Sequence, residues 1–298
     1  MTTSAKAHDA TGILEEGATV EEFLTGFTFT EGPVWHPYRR TLVFSDIPRN
    51  LLYVHDADGT LKIYRDPSYL GNGNAYDRDG RLLTCEHATS RVTRENPDGT
   101  AEVLASHHEG RQLNSPNDIV VASDGSIYFT DPQYGRFGAY GIEREPELPH
   151  RGVYRITPAG ELELVIDDFD QPNGLCLSLD ETRLFVNDTE RRHIRAFDVG
   201  SDGVVSGGDV WAELPADPED PNDGKPDGMK LDSEGNLYCT GPHGIRVYNG
   251  DGGWRGTIPI PEHTANFNWG DDDLRTLFVT ASTTVYRVRV QIPGLAPF

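Results

Sequence analysis

The chain is short of positive charge. Its 26 lysines and arginines face 48 aspartates and glutamates, a formal net charge of −22. Nucleic acid and anionic membrane surfaces are bound by basic patches, so neither is an expected partner. An acid surplus keeps a protein in solution and suits one that holds a cation. Cysteine is also scarce, with three in 298 residues. Cys85, Cys176 and Cys239 each sit inside an apolar stretch, and an odd number of such residues reads as buried, reduced thiols and a cytoplasmic protein. Only Cys85, followed by Glu86 and His87, has a base close by, and an inert thiol is the preferred reading there too. No apolar run is long enough to cross a bilayer. Residues 1–12 are polar and small, without the apolar core of a signal peptide. No stretch carries a sustained helical period.

What is present is one unit, six times over. In residues 115–131 a short apolar strand, an Asp124-Gly125 turn and a second apolar strand make a strong hairpin signal. Five similar units surround it, and all six align on Leu42, Leu82, Ile127, Leu184, Leu237 and Leu277, the first apolar residue of each second strand. Ten or eleven residues earlier stand Glu31, Asn72, Asn117, Asn173, Asp227 and Asn266, each with a side-chain oxygen and each heading a first strand. Their spacing of 39 to 56 residues is that of propeller blades built from short strands, not of a sandwich. The expected fold is therefore an all-β, six-bladed β-propeller of four-stranded blades over residues 18–298, preceded by a disordered segment over residues 1–17. In a propeller the first strands line the channel, so the six side chains are expected to ring one mouth. The last repeat supplies only three strands, and a strand within residues 19–29 is expected to complete it and close the sheet edge. Two segments rich in Pro, Gly and charge, residues 135–151 and 215–226, read as long loops over the same mouth.

Glu31, Asn173 and Asp227 offer hard oxygens, and Asn117 a fourth. Such a set favours Ca²⁺ or Mg²⁺, with Mn²⁺ next, over a soft-ligand zinc site. Asn72 and Asn266 are read instead as turn residues. Glu31 resists that reading, because Glu is a poor turn former and Glu31-Gly32-Pro33 fixes a tight bend.

Four separated motifs then carry a resemblance: Glu31-Gly32-Pro33-Val34-Trp35, Ser115-Pro116-Asn117-Asp118, Pro172-Asn173-Gly174-Leu175 and Pro226-Asp227-Gly228-Met229. Their order and spacing resemble the gluconolactonase / senescence-marker-protein (regucalcin) / luciferin-regenerating-enzyme-like family of six-bladed propellers, over roughly residues 20–290. The stretches around Cys85-Glu86-His87 and Asp131-Pro132-Gln133-Tyr134-Gly135 look most like its bacterial gluconolactonase branch. The resemblance implies one divalent ion, Ca²⁺ first with Mg²⁺, Mn²⁺ or Zn²⁺ as alternatives, held by Glu31, Asn173 and Asp227. It implies that Asn117 contacts metal or substrate, and that Asp227 is catalytic. The animal members carry Arg where this chain has Ser115, so substrate contacts here are sought among Arg111, Asn114, Tyr134, His87 and His243.

The expected activity is opening of a sugar-acid lactone by metal-dependent hydrolysis, with Asp227 as general base or as nucleophile. One alternative is hydrolysis of other lactones, esters or phosphotriesters, as in diisopropylfluorophosphatase. Another is a non-catalytic platform with a structural ion, although the Gly-His and Trp-Asp pairs of WD-type repeats are absent in order. The expected partner is a small-molecule lactone. The sequence carries no signal of oligomeric state.

Overall fold

A computed structural model describes Ala10 and residues 12–298 of the chain. Six four-stranded antiparallel sheets succeed one another along it. The innermost strands are Thr30–His36, Gly71–Tyr76, Ile119–Val121, Pro172–Leu177, Met229–Leu231 and Thr264–Gly270. Each packs against the next and the sixth packs against the first, so the blades close around a channel. Among the described residues the only helical element is a three-residue 3-10 turn, Tyr134–Arg136. None of the described helices is long and apolar enough to cross a membrane.

The core is divided among the six gaps between neighbouring blades. In blade one, Val43, Leu52 and Val54 join Tyr76 and Leu82 of blade two. On the opposite face Leu42 and Phe44 join Phe278 and Val285 of blade six. Successive strand residues point to opposite faces, and here both faces are covered. That is why Leu82–Glu86, Ile127–Asp131 and Leu237–Gly241 are buried throughout instead of alternating. All three thiols are free and buried in these gaps, and burial pushes the Cys85 thiol well up.

The last blade consists of Thr264–Gly270, Thr276–Ala281 and Thr284–Arg289. Its outermost strand is Glu21–Thr25, pairing Glu21 with Arg287 and Thr25 with Thr284. The N-terminal strand thus supplies the missing edge. Described residues ahead of the expected boundary at residue 17 are already packed. Ile13 is 1% exposed in the gap between blades five and six, Leu14 bridges Val290, and Gln291 N donates to Ile13 O at 2.8 Å. The apolar pair Ile13-Leu14 covers core that the blades leave open. The rest of the segment expected to be disordered, residues 1–9 and 11, lies outside the described residues.

Candidate active site

At the head of the first strands the six-fold alignment becomes a packed ring. The register of the inner pair slips between Glu31 and Val34, Gly71 and Asn74, Pro172 and Leu175, and Thr264 and Asn266. Such a bulge bends the strand and re-aims its side chains. Neighbouring ring backbones also pass so close that four of the six ring residues are followed by glycine. A Cβ on Gly32 would stand 2.0 Å from Asn72 O, and one on Gly174 2.1 Å from Asp227 O. These glycines allow close approach of backbone, and Gly32 also adopts a positive φ of 49°. In blade three the equivalent position is Asp118, whose carboxyl is buried and near enough for its charge to act on Glu31 and Asp227.

Second strands hold the ring from outside. Ser45 Oγ donates to Asn72 O at 2.6 Å, Thr130 Oγ1 to Asn173 O at 2.7 Å and Asn187 Nδ2 to Asp227 O at 2.6 Å. Each of these donors sits three residues beyond the aligned Leu or Ile of its own blade and reaches the next blade. The residue after it is acidic and ties down the loop entering the ring. Asp46 accepts from Thr28 N and Phe29 N, Asp131 from Asn114 N and Ser115 N, and Asp188 from Asp170 N and Gln171 N. The pairs Ser45-Asp46, Thr130-Asp131 and Asn187-Asp188 were visible in the alignment as a repeated hydroxyl-or-amide plus acid.

A cavity of about 190 Å³ opens at this mouth, and Glu31, Asn72, Asn117, Asn173 and Asp227 all line it. Asn266 does not. Its Nδ2 donates to Glu31 Oε2 at 3.2 Å, and its Oδ1 accepts from Lys230 Nζ at 2.9 Å. It supports the ring from beneath, so the turn reading fails for it. Glu31 Oε2 also accepts from Gly32 N.

Glu31 and Asp227 are buried together. Burial, then the charge of Asp118, pushes the Glu31 carboxyl up to about 7. Burial, then the charges of Glu31 and Asp118, raises Asp227 well above the carboxylate range. Asn173 donates Nδ2 to Thr189 Oγ1 at 3.0 Å, whose hydroxyl donates to Pro226 O at 2.7 Å. The amide is thus held by its nitrogen, and its buried Oδ1 has no partner. Among the described residues no three His, Cys, Asp or Glu side chains cluster as a metal site by themselves. Two mutually repelling buried carboxylates beside an unpartnered amide oxygen nevertheless fit a hard divalent cation, which would relieve the repulsion and satisfy the orphan.

The sequence-selected substrate contacts divide. Asn117 makes its hydrogen bonds through the backbone, to Thr130 O and from Gly73 N, and leaves its side-chain amide to the cavity. Tyr134 lines the wall, joined by Tyr140 and Phe29. The other four need correction. Arg111 is exposed in the short strand Arg111–Gln112 and lies outside the cavity. Asn114 Nδ2 is spent on Asp131 O and His150 O, and the residue lies outside the cavity. His243 is also outside, its Nε2 2.9 Å from Asp217 Oδ2 in a clamp on the second loop. His87 reaches the wall, but both ring nitrogens are engaged, by Tyr140 O at 2.9 Å and Asn72 Nδ2 at 3.1 Å. It has no nitrogen left for a substrate. Both long loops do reach the mouth, through Tyr140 and Lys225. The first is pinned by Arg136, which donates to Leu113 O at 2.6 Å, and by Arg144, which donates to His87 O at 2.7 Å.

Fold and site together define a six-bladed propeller with an acidic, amide-rimmed cavity at one channel mouth. A family model described as SMP-30/Gluconolactonase/LRE-like region matches residues 29–283, and the chain belongs to that family. It is 30% identical to a gluconolactonase of Zymomonas mobilis, over 95% of this chain and 84% of that protein. It is 28% identical to the pentonolactonase XacC of Haloferax volcanii, over 85% of this chain and 81% of that one. A solved gluconolactonase structure from Xanthomonas campestris superimposes with a TM-score of 0.87 at 35% identity, covering 96% of this chain and 94% of that one.

Proposed function

We propose that this protein is a divalent-metal-dependent hydrolase that opens sugar-acid lactones to aldonic acids. The observation that carries the reading is the buried pair Glu31 and Asp227, facing one small cavity with the unpartnered Asn173 Oδ1. Relatives named gluconolactonase and pentonolactonase support the substrate class.

Glu31, Asn173 and Asp227 would hold the ion, with Asn117 beside them and Ca²⁺ the expected metal. When bound, the ion supplies Lewis acidity for the lactone carbonyl and offsets negative charge in the site. Asp227 takes the proton of a water that attacks the carbonyl carbon. The Asn117 amide, free on the cavity wall, donates toward the developing oxyanion. The ring C–O bond then breaks, and Asp227 returns its proton to the departing alkoxide oxygen. Atoms balance as lactone plus water to hydroxy acid. Asn187 and Thr189 fix the approach, because they hold the Asp227 backbone and the preceding Pro226 carbonyl.

A pH-indicator assay over gluconolactone, galactonolactone, xylonolactone, simple esters and a phosphotriester tests this, with and without chelator. The expected result is chelator-sensitive opening of the sugar lactones. Equal activity in chelator, or activity on the phosphotriester alone, refutes it.

A further inference from the structure

Asn72 has no place in the reaction above, yet it is 4% exposed and lines the reaction cavity. Its Oδ1 is buried with no partner. The direction of that amide follows from its neighbours. Tyr140 O is a carbonyl and can only accept, so His87 Nδ1, 2.9 Å away, carries the ring hydrogen. Burial pushes the imidazole down to about 4, so His87 is neutral at ordinary pH and its Nε2 is a bare acceptor. The atom 3.1 Å from that nitrogen must then be a donor, the Asn72 Nδ2. The side-chain oxygen is left as an unpartnered acceptor on a residue that lines the cavity.

We propose that Asn72 Oδ1 accepts a hydrogen bond from a substrate hydroxyl, making it a specificity-determining contact for polyhydroxylated lactones, and that His87 is the positioning residue that holds it in that sense. The inference rests on the sugar-lactone reading and deepens it. Nδ2 is spent on a neutral imidazole, and the cavity wall carries the uncharged Phe29, Ile47 and Tyr140 as well as the acids Glu31, Glu190 and Asp227. A cavity of about 190 Å³ far exceeds the ~10–15 Å³ that a single water needs, so it admits a ligand larger than a lone water or ion. An acceptor whose only partner is the ligand rejects an analogue lacking the matching hydroxyl, because the oxygen then stays buried and unpaired.

The selectivity arises in an unusual place. Tyr140 belongs to the loop between the second and third strands of blade three, whereas Asn72 and His87 belong to blade two. The loop therefore sets the hydrogen-bonding sense of a residue in another blade through a backbone carbonyl, which no side-chain substitution at Tyr140 removes.

The test compares binding of D-glucono-1,5-lactam and δ-valerolactam, two non-hydrolysed ring analogues with and without hydroxyls, by calorimetry on the Ca²⁺-loaded full chain. The parent is expected to favour the hydroxylated lactam. Asn72→Leu, close in shape, should reduce that preference by roughly 5- to 100-fold, the range for leaving one polar group unpaired. His87→Leu should reduce it although Asn72 is intact, whereas His87→Gln, whose amide oxygen can still accept from Asn72 Nδ2, should keep most of it. That pattern is not expected of a residue with a merely structural role. An unchanged preference in Asn72→Leu, or no preference in the parent, overturns the inference. So does a loss of Ca²⁺ affinity in Asn72→Leu, which would make Asn72 an ion ligand. If Asn72→Leu does not fold, His87→Leu against His87→Gln decides. Failure of the parent to open gluconolactone would sink the proposed function, while the lactam comparison would still judge Asn72.

Discussion

Replacing Glu31 by Gln should stabilise the metal-free protein and remove its response to metal. Glu31 is 3% exposed, and without a cation its carboxyl is pushed from 4.5 to about 7 by burial and by Asp118. Ionising such a group in the fold costs about 3 kcal/mol relative to the unfolded chain. The sign follows from the raised value. Stability is fully present below 4.5, where Glu31 is protonated in both states, and falls as pH rises toward 7. In chelator at pH 8, Glu31→Gln should therefore be more stable than the parent by about 3 kcal/mol, roughly 5 °C for a chain of this length. Below pH 4.5 the difference should vanish. Gln keeps an oxygen for the Asn266 Nδ2 bond, so the supporting contact survives. Saturating Ca²⁺ reverses the order, because an ion at 1,000 times its dissociation constant adds about 4 kcal/mol to a protein that binds it. Thermal melts of both proteins at pH 4 and pH 8, with chelator and with Ca²⁺, read all of this. A variant that is less stable than the parent by the same amount in every buffer would refute the reasoning and make Glu31 a purely structural acid.

Asp227→Asn, assayed at saturating ion, should lose about 10²- to 10⁴-fold in turnover, the usual loss for a positioned base. Single-turnover hydrolysis in ¹⁸O-water should label only the product, whereas label in Asp227 would make it a nucleophile. Deleting residues 1–30 removes the outermost strand of the last blade and exposes an edge, so the truncated protein should aggregate. A soluble product with the parent's melting point would disprove closure by that strand. Exchanging residues 137–151 or 215–226 for short Gly-Ser links should reorder activity across a lactone panel, since Tyr140 and Lys225 line the cavity. An unmoved rank order would reduce both loops to scaffold.

The propeller was legible in the sequence because each blade repeats one pattern of apolar strand, tight turn and oxygen-bearing strand head. Period, count and the three-strand deficit of the last repeat follow from spacing alone. The cavity residues Glu31, Asn117, Asn173 and Asp227 were legible for the same reason, since equivalent positions in a closed ring must converge on one mouth.

Tertiary structure decided what the repeat leaves equal. Asn72, Asn173 and Asn266 are the same residue at the same register, yet their amides differ in what they meet. Thr189 holds the Asn173 nitrogen and leaves its oxygen unpartnered, His87 does the same for Asn72, and Lys230 claims the Asn266 oxygen. None of these partners lies near its asparagine in the chain. The same holds for His87, Asn114 and His243, which read as candidate contacts but are claimed by Tyr140, His150 and Asp217. A repeat determines where a side chain is rooted, because backbone register is local and periodic. The direction in which an amide or imidazole presents its donor and acceptor is decided by contacts with residues on other strands, blades and loops, and only the folded chain brings those together.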